Sequence, residues 1–322
     1  MLPLFLWLIM KNISEKLQNI YIVLLTACVC CFLWGSAFPV IKIGYKLFNI
    51  DSADTASIIL FAGIRFILAG ILTITIFSFV NKRLVKPKKS SLGKVCVLAL
   101  FQTILQYLFF YIGLAHTTGV KSSIIDGTST FFAILISIFI FKQEQFSFSK
   151  IVGSLLGFSG VVLAGMSGNR GKLSFQLGDF LLLISALSYA CSSVFMKRYS
   201  NDDNTAVLSG YQFVLGGAVM SVVGLLMGGK ISTDDIRGIV VLIYLGFISA
   251  TAYSLWGVLL KYNDVSRITV CGSMTPIFGF TLSYLLLGED NGKMFYKLIG
   301  LLCVVGGMVI VNLKSLQKKK TS

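Results

Sequence analysis

The chain has 322 residues, of which 56% are hydrophobic and only 13% are charged, and its mean hydropathy is +0.85. Soluble domains carry about 25% charged residues, so this composition excludes an ordinary soluble protein. The apolar residues come in long continuous blocks, whereas a membrane-spanning barrel would show short segments of alternating polarity. The sequence therefore predicts an all-α integral membrane protein.

Ten apolar blocks, separated mostly by short polar linkers, follow one another along the chain. About 20 apolar residues are needed for one helix to cross the hydrocarbon core, and short linkers are typical of antiparallel neighbours. The sequence therefore predicts ten transmembrane helices. The blocks lie at 20–41, 56–80, 95–115, 120–141, 151–166, 177–196, 207–227, 239–260, 265–287 and 295–313.

The first ten residues form a shorter apolar stretch that is too short to span a bilayer. No basic segment precedes this stretch and no small-residue cleavage site follows it, so a cleaved signal peptide is not expected. Two interpretations stay open. Either the stretch lies at the membrane interface, or translation begins at Met10.

Lysine and arginine are distributed unequally between the two sides of a ten-helix topology. With the N-terminus inside, and with basic residues in the first three positions of a block counted with the adjacent loop, 18 of the 28 fall on the inner side and 9 on the outer side. Arg65 alone lies deep within a span. By the positive-inside rule, we expect a multi-pass protein of the cell inner (plasma) membrane with both termini cytoplasmic. The basic cluster at 82–89 is interpreted as a topology anchor and not as a nucleic-acid site. The basic tail is expected to contact anionic lipid.

The seven cysteines and the single histidine do not form a recognisable metal or disulfide pattern. Cys28 and Cys31 share a helix face, so a soft-metal pair is conceivable, but packing is the favoured interpretation. His116 stands at the outer end of the third block, where an interfacial loop histidine is favoured over a proton relay. No metal or other cofactor is expected.

The two halves of the chain resemble each other. A shift of 145 residues places Tyr111 on Trp256, and a nearby shift places Arg65 on Gln212. Because each half has five spans, the second half must cross the membrane in the opposite direction, an arrangement typical of transporters with a midplane site. We divide the chain into an N-terminal tail (1–19), a first five-helix repeat (20–168), an outer linker (169–176), a second five-helix repeat (177–313) and a basic cytoplasmic tail (314–322).

Polar residues inside the spans are candidates for a substrate site, because such residues rarely face lipid. The alternative is helix packing, which is favoured for the intramembrane serines and for the Gly153/Gly157 pair. Asp126 either pairs with a cation, carries a proton, or stays wet near the outer face. The candidate substrate-binding residues are Trp34, Arg65, Gln102, Gln106, Tyr107, Tyr111, Asp126, Gln212, Tyr253 and Trp256.

Three stretches in order along the chain carry a family resemblance: Trp34-Gly-Ser-Ala-Phe-Pro-Val-Ile-Lys42, Arg65-Phe-Ile-Leu-Ala-Gly70, and the segment from Thr275-Pro276 to Gly288-Glu289. With the region ending near Glu144, they make the chain similar to the ten-span EamA-type permeases of the drug/metabolite transporter superfamily. The similarity runs from about residue 20 to residue 313. The chain departs from the pattern at Phe131, where members usually carry proline as at Pro276, and at Lys142-Gln143.

This resemblance implies a permease for small metabolites that works by alternating access, often an exporter of amino acids or related compounds. A zwitterion would suit Arg65 for its carboxylate, Asp126 for its amine, and Tyr107, Tyr111 and Trp256 for its side chain. A sugar-phosphate or nucleotide-sugar permease and a drug permease of the same superfamily stay open.

Other functional classes are less well supported by the sequence. An intramembrane enzyme is not expected, because one histidine cannot form a zinc motif and Asp126 has no intramembrane aspartate partner. A membrane sensor or scaffold without transport stays open, although no linker is long enough to hold a soluble domain. The expected partners are a small-molecule substrate and the lipid bilayer, with no nucleic acid, in a monomer or homodimer.

Overall fold

The computed structural model describes residues 19–141, 147–165, 175–200, 202–262, 271–272, 274–288 and 294–318. These residues form helices and connecting turns, with no strand among them. Residues 1–18, Glu144 and Glu289, which entered the sequence argument, lie outside the described residues. The helices are α1 (Ile20–Leu47), α2 (Thr55–Val80), α3 (Lys89–Ala115), α4a (Gly119–Asp126), α4b (Ser129–Phe139), α5 (Phe148–Gly165), α6 (Leu177–Tyr199), α7 (Thr205–Leu226), α8 (Ile236–Tyr262), α9 (Met274–Leu287) and α10 (Met294–Lys318).

Six of the described helices, α1, α2, α3, α6, α7 and α8, are long and apolar enough to cross a membrane. The apolar helical stretches of α5, α9 and α10 are shorter, at 10–17 residues. Large apolar side chains such as Leu25, Leu226 and Leu302 are exposed on the outside of the bundle. A soluble protein would not expose them at this density, so the surface fits an integral membrane protein.

Two helices differ from the continuous blocks expected from sequence. Within α3, the segment Ala99–Leu105 has π-helical hydrogen bonding, which widens one turn and is common at functional sites. The fourth block is divided at Gly127 and Thr128 into α4a and α4b. Both irregular places carry candidate site residues.

Side-chain caps define several helix starts. Asp54 accepts a hydrogen bond from the Ser57 amide at 3.0 Å at the start of α2, and Asn204 accepts one from the Ala206 amide at 2.9 Å at the start of α7. Such caps satisfy backbone amides that have no partner within the helix. These two contacts fix where α2 and α7 begin.

The closest helix pairs meet through glycines. A Cβ on Gly63 of α2 would lie 2.8 Å from the Gly217 carbonyl oxygen, and one on Gly70 would lie 2.6 Å from the Gly210 carbonyl oxygen of α7. The pairs 63/217 and 70/210 run in opposite directions, so α2 and α7 cross antiparallel. Because no side chain stands between them, the two backbones approach closely, as in other small-residue membrane contacts.

Helices α5 and α10 repeat this arrangement. A Cβ on Gly160 would lie 2.5 Å from the Gly300 carbonyl oxygen, and Gly307 packs directly on the Gly153 carbonyl oxygen and on the backbone of Gly157. The packing interpretation of Gly153 and Gly157 agrees with these contacts. The remaining contacts also alternate between halves: α1 packs on α8 and α9, and α6 packs on α3 and α4b.

An ionic cluster joins the loop after α6 to the start of α3. Lys94 binds Asp203 at 2.8 Å and Asp202 at 3.2 Å, and the Ser91 hydroxyl donates to Asp203 at 2.6 Å. We call these residues the Asp203 cluster.

The Asp203 cluster should weaken in acid. Hydrogen bonds from Lys94 and Ser91 hold the pKa of Asp203 below its ordinary value. Such a carboxylate stabilises the fold fully above the unfolded-state pKa of about 3.9 and loses this effect as pH falls through its lower folded-state pKa. Below about pH 4, the melting temperature of the purified protein should therefore fall more steeply than that of Asp203→Asn. Parallel pH profiles for the two proteins would contradict this expectation.

Candidate substrate-binding site

Arg65 lies at the centre of the bundle, where helices of both halves meet. It is 2% exposed. Its Nε donates to the Leu245 carbonyl oxygen at 3.1 Å, Nη1 donates to the Tyr111 hydroxyl at 2.7 Å, and Nη2 donates to the Ser249 hydroxyl at 2.9 Å. The guanidinium also lies 4.6 Å from the centre of the Phe66 ring. These contacts fix its plane and link α2 to α3 and α8.

All three hydrogen-bond acceptors of Arg65 are electrically neutral. Within the described part of the chain, no carboxylate lies at ion-pairing distance from it. The alternative that Asp126 pairs with a cation is therefore not seen at Arg65. A buried cation whose partners are neutral is costly in a membrane. Its five N–H donors exceed the three bonds formed, so the guanidinium can bind a further acceptor.

An aromatic group adjoins Arg65. The Tyr107 and Tyr253 hydroxyls are 2.7 Å apart and share a hydrogen bond between α3 and α8. The Tyr253 ring packs edge-on against Trp34 at 5.4 Å between ring centres, and Trp34 packs edge-on against Trp256 at 5.0 Å. We call Trp34, Tyr253 and Trp256 the aromatic cage. Four of the predicted site residues are thus brought into direct contact.

A second polar group lies on the π-helical turn of α3. Gln212 of α7 donates to the Gln102 side-chain oxygen at 3.3 Å, and the Thr103 hydroxyl donates to the Gln212 side-chain oxygen. Gln212 is completely buried. The wide turn brings the neighbouring residues Gln102 and Thr103 to the side-chain amide of Gln212. In a regular helix, consecutive residues point about 100° apart and would not be expected to share one partner.

Gln102 and Gln106 are four residues apart, a spacing that predicts a shared helix face, but their side chains have different neighbours. The widened turn before Gln106 shifts the helix phase, and Gln106 lies beside the Tyr253 hydroxyl. Its side chain is 6% exposed, and its Oε1 has no hydrogen-bond partner. The buried Trp34 Nε1 likewise has no partner. Buried polar atoms are normally paired, and these two lie among the predicted site residues.

Asp126 lies at the end of α4a, where the fourth helix is interrupted. It is half-buried and forms none of the hydrogen bonds of Arg65. Its carboxylate lies within electrostatic range of Tyr107 and Tyr189. Tyr189 of α6 was not selected as a site residue from the sequence.

Sequence reasoning missed a buried ion pair. Lys121 of α4a binds Asp179 of α6 at 2.6 Å, and Asp179 also accepts from the Thr117 hydroxyl at 3.0 Å and the Gln176 amide at 2.8 Å. We call these four residues the Asp179 cluster. Lys121 is the second residue of the fourth apolar block and was not singled out, and a single aspartate at the start of a span gave no further signal.

The described residues contain no group of three or more His, Cys, Asp or Glu that could hold a metal ion. Cys31 donates its thiol to the Cys271 carbonyl oxygen at 3.3 Å, and Cys30 contacts the Ala252 carbonyl oxygen. These cysteines serve as small buried residues between α1 and the second half of the chain.

Comparison with known proteins gives consistent matches over nearly the whole chain. The EamA-like transporter family matches twice, over residues 21–166 and 176–313. A probable amino-acid metabolite efflux pump of Escherichia coli is 27% identical over 86% of this chain and 90% of its own length. A protein of the same description from Salmonella typhimurium is 26% identical over the same shares.

Two further proteins also match most of this chain. An uncharacterized transporter of Bacillus subtilis is 24% identical over 91% of this chain and 93% of its own length. A crystal structure of a protein with 17% identity matches with a TM-score of 0.65, over 90% of this chain and 96% of the other. At this identity the structural likeness concerns the fold alone.

Proposed function

Because this chain belongs to the EamA-like transporter family, we propose that it exports small zwitterionic metabolites, amino acids or related compounds, across the cell inner membrane by alternating access. Family membership makes it a transporter and not an enzyme. The observation that carries the substrate class is Arg65, a buried cation with neutral partners at the centre of the bundle. Two similar proteins described as probable amino-acid metabolite efflux pumps support the same class.

The chemistry of the site suits the two ends of an amino acid. Arg65 would bind the carboxylate, since its planar guanidinium can offer two parallel donors. Asp126 would bind the amine, and the aromatic cage would hold the side chain. The remaining candidates, Gln102, Gln106, Tyr107, Tyr111 and Gln212, would position these groups through the hydrogen bonds described above.

An inverted arrangement of two five-helix repeats is part of this proposal, and the glycine contacts support it. When the first half is aligned on the second with a shift of 147 residues, Gly63 corresponds to Gly210 and Gly70 to Gly217. The contact 63/217 between α2 and α7 then corresponds to the contact 70/210 between the same two helices. Reciprocal exchange across an antiparallel crossing is what a twofold axis in the membrane plane would produce.

The same shift also relates other contacts. It exchanges the pair 160/300 with the pair 153/307 between α5 and α10. Under the same shift, Arg65 corresponds to Gln212. Arg65 bonds to α8 of the second half, and Gln212 bonds to α3 of the first half. Ten spans, with the repeats at 20–168 and 177–313, accommodate all of these relations.

We expect both termini on the cytoplasmic side. The 18 to 9 distribution of basic residues supports this orientation. Reporter fusions placed after Val80 and after Leu313 should both give a cytoplasmic signal, and a fusion after Leu47 should give an external one. An external signal after Val80 or Leu313 would contradict the ten-helix topology.

Transport itself is tested in proteoliposomes. Vesicles containing the purified protein should exchange or release labelled amino acids well above protein-free vesicles, whereas labelled sugar phosphates and aromatic drug cations should move at the background rate. Preferential movement of a sugar phosphate or a drug cation would favour the other permease classes. Movement of no compound in any of the three groups would favour a sensor or scaffold.

A further inference from the structure

Two polar atoms inside the site remain without a hydrogen-bond partner. One is a donor, Trp34 Nε1, and the other is an acceptor, Gln106 Oε1. Gln106 is more than nine-tenths buried, so bulk water does not satisfy it from outside. Leaving such groups unpaired lowers stability, and a fold selected only for stability would replace them with apolar groups.

Both residues adjoin Tyr253. The Trp34 ring lies 5.4 Å from the Tyr253 ring centre, and Gln106 lies beside the Tyr253 hydroxyl. The Tyr253 hydroxyl shares a hydrogen bond with Tyr107 at 2.7 Å, and neither Trp34 Nε1 nor Gln106 Oε1 forms a hydrogen bond with it. The donor on α1 and the acceptor on α3 therefore both adjoin the same tyrosine, and neither takes part in the hydrogen bonds of Arg65.

We propose that Trp34 and Gln106 form a subsite for a planar carboxamide group on the substrate. A carboxamide carries an acceptor oxygen and donor hydrogens on adjacent atoms. Its oxygen accepts from Trp34 Nε1, its nitrogen donates to Gln106 Oε1, and its flat faces pack on the aromatic cage. This inference rests on the proposed function, and it narrows the substrate class to amino acids with amide side chains.

An apolar side chain of the same shape would fill this subsite without pairing either atom. L-Leucine is nearly isosteric with L-asparagine, so comparing the two separates hydrogen bonding from size. A site that hydrogen-bonds its substrate discriminates strongly against an analogue without the polar group. We therefore expect the wild-type protein to bind L-asparagine or L-glutamine at least about tenfold more tightly than L-leucine.

The test uses purified full-length protein in lipid nanodiscs with L-asparagine, L-glutamine and L-leucine as probes. Binding is followed by tryptophan fluorescence, since Trp34 and Trp256 lie 5.0 Å apart, and independently by ligand-induced thermal stabilisation. Trp34→Phe keeps an aromatic ring but removes the N–H donor, and Gln106→Leu removes the acceptor. Ser159→Ala serves as the control, because the exposed Ser159 hydroxyl bonds only to the Leu156 carbonyl of its own helix, at 2.7 Å.

Each site variant should lower the asparagine-to-leucine affinity ratio about three- to tenfold, mainly by weakening asparagine binding, and the control should keep the wild-type ratio. A site variant that loses binding of both probes is tested again as Trp34→Tyr or Gln106→Met. A wild-type ratio near one, or a ratio unchanged in both variants, would overturn the carboxamide subsite.

The outcomes for the subsite and for the function are separate. If leucine or other amino acids are bound and transported but the amides are not preferred, the subsite is wrong and the proposed function stands. If no amino acid is bound or transported by folded protein, the proposed function fails together with the subsite.

Discussion

Replacing Arg65 by lysine or by glutamine is expected to reduce amino-acid transport by at least about 100-fold. Charge-assisted hydrogen bonds contribute about 1.5–3 kcal/mol each, and lysine can reproduce neither the bidentate geometry nor the three simultaneous bonds of the guanidinium. Glutamine copies the residue at the corresponding position of the other half, Gln212, and removes the charge. Both variants retain a polar side chain at this position, so membrane insertion should persist.

The measurement is designed to separate binding from folding. Arg65 has neutral partners, so Arg65→Gln removes a buried charge as well as its hydrogen bonds, and we expect only a small change in melting temperature without ligand. The wild type should gain about 2.7 kcal/mol of stability at a ligand concentration of 100 times Kd, whereas both variants should gain almost none. Tyr111→Phe, which removes one acceptor at 2.7 Å, should have an intermediate effect.

Arg237→Gln provides the matched control. Its side chain is 79% exposed and pairs with the nearby Asp235 at 2.6 Å, so the same substitution is made far from the bundle centre. Transport by this variant should equal that of the wild type. Full transport by well-expressed Arg65→Gln protein would show that Arg65 does not bind the substrate. Its buried hydrogen bonds would then have only a structural role.

The sequence identifies the helices and many of the buried polar residues, because long apolar blocks and intramembrane charges have few alternative explanations. Arg65 and Gln212 could be paired from the internal repeat alone. Their partners could not be predicted, because Ser249, Leu245 and Thr103 are brought to them by contacts between the halves. Residue spacing gives the face of a regular helix, but it does not give the packing of one half on the other.

Local irregularities explain the remaining differences. The π-helical turn at Ala99–Leu105 changes the helix phase, so Gln102 and Gln106 do not share a partner although they are four residues apart. The fourth helix is interrupted after Asp126, and this carboxylate takes no part in the hydrogen bonds of Arg65. Neither irregular segment contains a proline that would have indicated it in the sequence. A prediction from hydrophobic periodicity assumes the same number of residues in every helical turn.

Breaking the Asp179 cluster is expected to have the largest effect on stability. Asp179 is completely buried and accepts hydrogen bonds from Lys121, Thr117 and the Gln176 amide. It therefore joins the start of α6 to α4a and to the end of the loop after α3. The cluster and Asp203 lie near opposite ends of α6, a helix of 23 residues and hence about 34 Å long.

Asp179→Asn keeps the shape of the side chain but removes the negative charge beside the buried Lys121 ammonium. Removing one partner of a buried ion pair costs about 3–5 kcal/mol, so the melting temperature in detergent should fall by several degrees. Lys121→Met should be milder, because Asp179 keeps two of its donors. The double variant Lys121→Met, Asp179→Asn should recover much of the loss, since apolar replacement of both charges relieves their desolvation.

Asp235→Asn is the matched control, because Asp235 also pairs with a basic residue, but its partner Arg237 is 79% exposed and Asp235 itself is only partly buried. Exposed pairs contribute about 0–1 kcal/mol, so this variant should melt within about one degree of the wild type. Equal destabilisation by Asp179→Asn and Asp235→Asn would show that burial does not strengthen the Lys121–Asp179 pair. A double variant less stable than both single variants would instead indicate that the site depends on the shape of the two side chains and not on their charges.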